Sequence, residues 1–268
     1  MTEENKALAV IPADAYAVTK TDGLVEALAD AFENQGATVW NLTQLRVPAG
    51  GATVWSINTL TGEENPKGIE GVLALVKGRQ RAWWRDEVGA GDKQPPNCES
   101  HDGLIGFGDP SLDQNTPGRH ECASCRWSHF RSDRKGGKGQ DCNQVARIFL
   151  FRPSSRLPIH LNVPAASLKN LTRYQLDLID SGRVYHAVVT RLKLQKVTNA
   201  AGKDYSQIVF EFVGDLAPDA AKRVAELKRS LEAATGRVVS LRPEDVRVVE
   251  GTPTAASVTN LDDLVIGD

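Results

Sequence analysis

The residues best suited to chemistry are the four cysteines, which all lie in one segment from Cys98 to Cys142. Their spacing is C-x23-C-x2-C-x16-C, with Cys122 and Cys125 as the close pair. A C-x2-C turn places two sulfurs on one side of a tight loop, and two distant thiolates can complete a closed tetrahedral site. Soft thiolate ligands in such a cage suit zinc. The spacing therefore predicts a structural Zn²⁺ bound by Cys98, Cys122, Cys125 and Cys142.

The composition around the cysteines also favours a metal. The segment is rich in glycine, polar residues and charge, and poor in aliphatic residues. It can bury little apolar area and needs another source of stability. Zinc binding contributes about 10–16 kcal/mol in isolated zinc modules. Three alternatives stay open: an iron–sulfur cluster on the same thiolates, no metal, or a histidine (His101, His120 or His129) in place of one cysteine.

Basic and aromatic side chains alternate next to the cysteines. Cations bind phosphates, and rings stack on unpaired bases for about 1–3 kcal/mol each. This composition predicts a contact with single-stranded nucleic acid, although Trp127 and Phe130 could instead cover the metal. The adjacent Trp83 and Trp84 lie on a predicted strand, so either one is near the surface or both are in the core. The predicted nucleic-acid-binding residues are Arg81, Trp84, Arg85, Arg126, Trp127, Phe130, Arg131, Arg134, Lys135 and Lys138.

No pattern typical of an enzyme accompanies these residues. Catalytic zinc keeps an open position and a carboxylate base nearby, and neither H-x-E nor H-E-x-x-H occurs. The glycine-rich stretches 103–108 and 136–139 match neither the dinucleotide fingerprint nor the P-loop. A G-x-S-x-G nucleophile elbow is also absent from the sequence. We therefore predict no catalytic residues and a non-enzymatic protein.

The charge is distributed unevenly, although the net charge is only −2. Residues 118–160 contain nine Lys or Arg and three Asp or Glu, whereas residues 250–268 contain four acids and no base. A basic centre favours an anionic partner, and the alternative is an ordinary solvated surface. The stretch after 250, rich in Thr, Ala and Ser, is typical of a flexible linker.

Composition also bears on the compartment. Hydrophobic residues make up 41% and charged residues 25% of the chain, as in soluble globular proteins. No run of 18 apolar residues predicts a membrane span, and the acidic amino terminus does not resemble a signal peptide. We expect a cytoplasmic protein in a reducing compartment, where cysteines bind metal more often than they form disulfides.

Short strands and a few helices are predicted to position the cysteine segment. β-rich runs predict strands at 70–76, 145–151 and 159–163, a hairpin across 36–55, and a longer hairpin of 183–197 with 205–213. Helical spacing and caps predict helices at 21–36, 165–180 and 218–234. The outer positions of the longer hairpin carry Arg191, Lys193 and Lys196. This order predicts a flexible leader (1–20), a β-rich body (21–216) with a zinc-binding insert (95–145), a helix and extended segment (217–249), and a flexible acidic tail (250–268).

Several short motifs follow one another in a distinctive order along about residues 65–215. They are GIEGV at 68–72, RAWW at 81–84, PPNCESHDG at 95–103, C-x2-C at 122–125, GKGQDC at 137–142, LP at 157–158, VPAASL at 163–168, Tyr174, VVT at 188–190 and G-x2-YS at 202–206. In this order the chain resembles a family of bacteriophage and mobile-element proteins, some of which are similar to phage single-stranded DNA-binding proteins with a zinc-like cysteine loop. His101 and Gln140 depart from that pattern, and Gln140 removes a basic residue that could contact phosphate.

The resemblance implies both a fold and a function. The fold is α+β and mainly β: an OB-like β-barrel with an inserted zinc-ribbon-like lobe and a few helices. The function is non-catalytic binding of single-stranded DNA in replication or recombination, in the host cytoplasm if the protein is phage-encoded. Proteins of this kind often end in an acidic, apolar tip that recruits replication or recombination proteins. The alternative is a zinc-stabilised protein–protein interaction module, either a virion or a host-interaction factor.

Overall fold

The computed structural model describes residues 10–12, 15–16, 23, 26–27, 30–31, 34–35, 42–59, 62–86, 96–108, 118–134, 136–153, 155–200 and 202–236. Most elements in these residues are strands of one large sheet, accompanied by two described helices. The strands are β1 (Val10–Ile11), β2 (Gln44–Leu45), β3 (Ile57–Thr59), β4 (Gly62–Glu64), β5 (Gly68–Trp83), β6 (Cys98–Ser100), β7 (Ile105–Gly108), β8 (His120–Glu121), β9 (Asn143–Phe151), β10 (Ile159–Pro164), β11 (Val188–Thr198) and β12 (Asp204–Leu216). The helices are α1 (Ala165–Asp180) and α2 (Pro218–Gly236), with short 3-10 helices at Arg126–Ser128 and Tyr185–Ala187.

The longest strand, β5, connects the parts of the sheet. Its first residues pair with β11, the following ones with β9, and the last three also with β6. The apolar run 72–75 is buried. Gly71 allows a close approach to β9, because a Cβ there would lie 2.6 Å from the carbonyl oxygen of Phe151. The end of β5 thereby carries Arg81 and Trp83 to the cysteine segment.

Two hydrophobic cores lie on opposite faces of the sheet, because successive strand residues alternate between faces. Ile148 of β9 belongs to a core that includes Leu168, Leu171 and Leu178 of α1. Its neighbour Phe149 belongs to the other core, which is covered by α2. Each fully buried large apolar side chain contributes about 1.5–3 kcal/mol. The body of the protein therefore has ordinary apolar cores of its own.

Side-chain hydrogen bonds fix α1 on the hairpin formed by β11 and β12. The hydroxyl of Ser167 accepts from the Ile208 N–H at 2.9 Å, and the Asn170 amide donates to the Ile208 carbonyl at 2.8 Å. The buried hydroxyls of Tyr174 and Thr190 are 2.7 Å apart. These contacts use residues from the VPAASL and VVT motifs, together with Tyr174, which gives these motifs a structural role.

The longer predicted hairpin is confirmed as β11 and β12. The cations on its outer positions are balanced by neighbouring carboxylates, so this face is not a surface of uncompensated positive charge. Arg191 pairs with Glu70 and Glu211, Lys193 with Glu211, and Lys196 with Asp204.

Most other element predictions are also confirmed. β9, β10, α1 and α2 agree with the predicted strands and helices within two residues at each end, and β5 contains the predicted strand 70–76 but continues to Trp83. The hairpin predicted across 36–55 is wrong in its second arm, because residues 51–55 form turns and irregular backbone before β3. In the predicted helix at 21–36, the described residues 26–27 and 30–31 are helical. Most of the predicted leader, the segment 237–249 and the acidic tail lie outside the described residues.

The expected α+β, mainly β fold class is confirmed at that level. Among the described strands no pairing of β10 with β12 closes the sheet, so the OB-like barrel stays a prediction. No described helix has the length and hydropathy needed to cross a membrane.

Candidate metal centre and nucleic-acid interface

The four cysteines are positioned by short elements of the segment 96–142, here called the cysteine lobe. Cys98 begins β6 and lies opposite Trp83 of β5. Cys122 follows β8, and the Cys125 N–H donates to the Glu121 carbonyl at 3.1 Å, which closes the tight turn of the C-x2-C pair. The Cys142 N–H donates to the carbonyl of Trp127 at 2.8 Å, just before β9. Main-chain hydrogen bonds thus bring distant cysteines to the end of β5.

All four cysteines line one small pocket, and none of them, all being described residues, forms a disulfide. Cys98, Cys122 and Cys142 are buried, while Cys125 is half-buried. Gly106 borders the same pocket. A Cβ there would lie 3.0 Å from the sulfur of Cys98 and 3.7 Å from that of Cys122. The absence of a side chain at this position leaves room for the sulfurs.

The chemistry of this donor set fits a thiolate-bound metal, but the sulfurs are not arranged as a finished ligand set. Among the described residues, no three His, Cys, Asp or Glu side chains are placed so that they could hold a metal ion. Four cysteines can line the same pocket without being placed to bind one metal ion. The residues that would hold zinc are Cys98, Cys122, Cys125 and Cys142.

Burial favours the protonated form of two of these thiols, those of Cys142 and Cys122. It raises the pKa of Cys142 to about 12 and also raises the pKa of Cys122, while the positive charge of Arg81 opposes both shifts. A bound metal deprotonates its thiol ligands outright. Metal binding here would therefore release protons and depend on pH.

The three candidate histidines differ in their placement. His120 is 6% exposed and lines the cysteine pocket. His101 lies 3.8 Å from the carboxylate of Glu99, and His129 is exposed. Of the three, His120 alone borders the pocket.

The turn between β6 and β7 is held by the SHDG part of the sequence motif. Asp102 accepts the N–H groups of Leu104 and Ile105 at 2.7 and 3.0 Å, and the Gly103 N–H donates to the Ser100 hydroxyl at 2.9 Å. The bonds from Ile105 and then Leu104 lower the pKa of Asp102. Gly103 has φ +75, and a Cβ there would meet the Arg79 carbonyl oxygen at 2.5 Å. The motif therefore builds the turn that connects Cys98 to Gly106.

Two predicted nucleic-acid contacts, Arg81 and Trp84, lie at the end of β5 beneath the lobe. Trp83 and Trp84 are 4% and 3% exposed, so both belong to the core. Trp84 packs with Ala82 and Val145, and a base could not stack on it without opening this cluster. Arg81 lines the cysteine pocket, where it faces the thiols rather than an external phosphate. The assignments of Trp84 and Arg81 to a DNA surface do not fit these positions, because the lobe folds back over the end of β5.

A stack of aromatic and guanidinium groups joins the lobe to β5. The rings of Trp127 and Trp83 are stacked with centroids 5.2 Å apart, and the Arg126 guanidinium lies 4.3 Å from the Trp127 centroid. Arg134 lies 5.5 Å from the Trp83 centroid and pairs with Asp141 at 2.7 Å. Asp141 also accepts the Trp83 indole N–H at 2.6 Å. Trp127 is therefore covered on both faces.

Arg134, which the sequence predicts to bind phosphate, makes structural contacts instead. Besides its pair with Asp141, its guanidinium donates to the main-chain carbonyls of Trp84 and Arg85. These bonds connect the lobe to the end of β5. Asp141 and the two carbonyls were not candidates in the sequence, because such a long-range contact leaves no local pattern.

The remaining candidates form an exposed basic surface on the lobe. Phe130 is 76% exposed, and Arg126, Arg131 and Lys138 are exposed. The Arg131 N–H donates to the main-chain oxygens of Lys138 at 3.3 Å and Gly139 at 2.8 Å, so the main chain is close at these residues. Within the described part of the chain, Arg126, Arg131 and Lys138 form no ion pair. Arg85 is also exposed, and Lys135 lies outside the described residues.

Sequence reasoning missed two exposed apolar side chains of the lobe. Phe107 and Leu104 are 53% and 69% exposed. In β7 the buried Gly106 precedes the exposed Phe107, so the alternation of a strand places this ring outside. The strand has only four residues, two of them glycine, so its alternation could not be recognised in the sequence.

Comparison with known proteins adds no relative: no family model, curated protein or solved structure matches this chain.

Proposed function

We propose that this chain binds single-stranded DNA without catalysis, through the exposed basic surface of a cysteine lobe that Zn²⁺ stabilises. The observation that carries the proposal is the exposed Phe130 beside the exposed cations Arg126, Arg131 and Lys138. An aromatic ring offers a stacking surface to any base, and cations bind phosphates irrespective of sequence. Because this surface combines both groups on one loop, it suits an unpaired strand.

The strand connectivity supports an OB-like interpretation of the body. β5 pairs with β9 and β11, β9 with β10, and β11 with β12, while α1 connects β10 to β11. This connectivity supports a five-stranded OB-like fold, which the described sheet leaves open between β10 and β12. Oligonucleotides contact OB folds at the loop between their first two strands and at the loop of the last hairpin. In this interpretation the cysteine lobe occupies the first of those loops.

Zinc has a structural role in the proposal. The lobe's strands are two to four residues long, and its small cluster is built around Trp83, Cys98, Cys142 and Trp127. Four thiolates around one Zn²⁺ would connect β6, the C-x2-C turn and the start of β9. An iron–sulfur cluster would use the same thiolates, and its visible absorption would distinguish it from colourless zinc.

The test is fluorescence anisotropy of the full chain with a labelled single-stranded oligonucleotide of mixed sequence at several salt concentrations. Log affinity should fall linearly with log salt, by roughly 0.7 per phosphate neutralised. Replacing Arg126, Arg131 and Lys138 together with alanine should reduce the slope by about 2. Phe130→Ala should cost about 1–3 kcal/mol regardless of the sequence.

Matched controls lie on α1, away from the lobe. Arg173→Ala removes an exposed arginine that pairs with Asp177, and Leu176→Ala removes an apolar side chain that is 57% exposed. Both should bind DNA as the wild type does. Lack of binding at low salt, or equal losses in the control variants, would contradict the proposal.

A protein-binding function is the second candidate, and Phe107 with Leu104 is the observation that favours it. Two large apolar side chains exposed on one short turn and strand are typical of contact surfaces between proteins when they form a patch. Under this function, Phe107→Ala and Leu104→Ala would abolish capture of a protein partner, and DNA affinity would be absent from the start.

From the motif resemblance to phage proteins, we propose that the DNA binding serves replication or recombination. It also gives the acidic residues 250–268 the role of recruiting proteins of those processes. Deletion of these residues should leave or increase DNA affinity, because the deleted segment carries four acids and no base.

A further inference from the structure

Five buried nitrogen atoms around the cysteine pocket have no hydrogen-bond partner among the described residues. They are Nε and Nη1 of Arg81, Nδ1 and Nε2 of His120, and Nε1 of Trp127. All three side chains line the pocket together with the four cysteines. Most buried polar groups in proteins have a hydrogen-bond partner. A cluster of such groups around one pocket indicates a shared acceptor.

The thiol groups and the Glu99 carboxylate are the acceptors that line the pocket with these nitrogens, and the protonation state of the thiols decides how well the sulfurs accept. A protonated thiol is a weak acceptor, whereas a thiolate carries a full negative charge. Four thiolates around a divalent ion leave a net charge of −2, which is costly to bury without compensation. Glu99 also borders the pocket and adds negative charge. The guanidinium of Arg81 is the cation on the pocket wall.

We propose that Arg81 and Trp127 donate N–H···S hydrogen bonds to the thiolates when the four cysteines bind a metal ion. This inference rests on the zinc site of the proposed function. It removes Arg81 from the DNA surface and makes it a positioning residue of the metal centre. Cys125 completes the ligand set, since the turn at Glu121 holds it beside Cys122, and His120 is a further donor.

The two donors are fixed by their surroundings. Arg81 lies in the middle of three paired strands, opposite Ser100 of β6 and Gln144 of β9. The indole of Trp127 is held between Trp83 and Arg126, with ring centroids 5.2 Å apart on the first side and 4.3 Å from the guanidinium on the second. Both donors are therefore held in place before the metal binds. Groups that hydrogen-bond to metal ligands in this way commonly change metal affinity 10- to 100-fold.

Cobalt(II) substitution tests the inference, because the charge-transfer band from thiolate to cobalt reports on the sulfurs. Arg81→Gln removes the charge, and Trp127→Phe removes one N–H while keeping a ring on Trp83. We expect Arg81→Gln to weaken metal binding about 10- to 100-fold in competition with a chelator. Trp127→Phe should shift the band to lower energy, because a thiolate that loses a hydrogen bond releases its electrons more easily. The salt slope of DNA binding should stay as in the wild type for Arg81→Gln.

Each outcome is decisive. Wild-type metal affinity in Arg81→Gln together with an unshifted band in Trp127→Phe would overturn the inference and leave DNA binding intact. A salt slope reduced by about 0.7 in Arg81→Gln, with metal affinity unchanged, would return Arg81 to the phosphate contacts. A wild-type chain that binds no cobalt would refute both the zinc site and this inference, whereas the oligonucleotide titration tests DNA binding separately. If Arg81→Gln does not fold, the band of Trp127→Phe alone decides.

Discussion

The body and the cysteine lobe are stabilised in different ways. The body has long paired strands and two apolar cores, in which Leu161, Phe149 and Leu192 are almost fully buried. The lobe has strands of two to four residues, and a cluster of two tryptophans and two cysteines takes the place of a core. Its other contacts are polar: the stack of Trp83, Trp127 and Arg134 and the bonds around Asp141. We therefore expect the body to fold by burial of apolar area, and the lobe to depend on a further stabiliser.

The apolar cores and the proposed DNA-binding surface also lie in different regions of the molecule. The cations on the β11–β12 hairpin are paired with carboxylates. In the lobe, Arg126, Arg131 and Lys138 stay exposed to solvent. The part of the chain with the weaker core thus carries the surface proposed for DNA. A metal would stabilise that surface without covering it, because the cysteines are buried and the cations are not.

The difference between the body and the lobe predicts several effects. The largest is the loss of metal when a buried cysteine is substituted. Cys142→Ser should weaken zinc binding by at least about a hundredfold, since the complete set of ligands supplies about 10–16 kcal/mol in small zinc modules. The far-ultraviolet circular dichroism of the body should be retained. Metal content by atomic absorption and competition with a chromophoric chelator measure the change.

The matched control for that substitution is Ser124→Ala, which lies within the C-x2-C turn but provides no thiol. It should bind zinc almost as the wild type does. Full zinc content in Cys142→Ser would contradict the ligand set, and complete unfolding of the body would contradict its independence.

A substitution in the core of the body should lower the free energy of unfolding and leave zinc binding unchanged. Leu161 is 1% exposed, and Leu161→Ala should lower the free energy of unfolding by about 2–5 kcal/mol through lost burial and a cavity. Leu176→Ala, at a 57% exposed position, should change it by less than about 0.5 kcal/mol. Zinc affinity should be unchanged in both variants. Denaturant titration checks these values, and weakened zinc binding in Leu161→Ala would show that the two regions are coupled.

Acid should destabilise the body through His160. Burial, with the charges of Arg147 and Arg46, lowers its pKa to about 4, against about 6.5 in an unfolded chain. Between these two values the unfolded chain binds a proton that the folded protein does not, so stability falls as the pH decreases. The full difference is of order 3 kcal/mol at 1.36 kcal/mol per pKa unit. Denaturant titrations from pH 7 to pH 4 should show a smaller loss in His160→Gln, and identical pH profiles would refute this role.

The smallest predicted effect concerns the bond between the two regions. Asp141→Asn weakens the contacts with Trp83 and Arg134 and should cost about 1 kcal/mol, because Arg134 is partly exposed. The fluorescence of the buried tryptophans should change as well. Asp177→Asn, in an exposed pair with Arg173 on α1, is the control and should cost less than about 0.5 kcal/mol. Equal costs in the two variants would show that the lobe does not depend on this bond.

Local patterns were sufficient to predict much of the body. The apolar run of β5, the alternation in β11 and the spacing of apolar residues in α1 depend on neighbours in sequence, and the structure contains all three. The cysteine spacing likewise predicted that Cys98 and Cys142 would be brought together, and both line one pocket. These features follow from periodicity and ligand spacing.

Long-range contacts explain what the sequence could not provide. The sequence left open whether one or both of the adjacent tryptophans are buried, and long-range contacts decide it: the lobe covers the end of β5, and Arg134 donates to the carbonyls of Trp84 and Arg85. Arg81 is the type of residue that contacts phosphate, but it lines a pocket in which every other residue except Trp83 is 17 to 61 positions away in sequence. The sequence shows which residues are charged or aromatic, but it does not show whether their side chains point to solvent or to the interior.

Hydrogen exchange with and without a chelator tests the central claim most directly. Amides of the lobe, such as those of Cys122, Cys125 and Cys142, should lose their protection when zinc is removed, while amides in β9, β11 and α1 keep theirs. Loss of protection in the lobe alone is the result that we predict. Unchanged protection in the lobe, or equal loss in the body, would contradict a metal-stabilised lobe on a self-sufficient body.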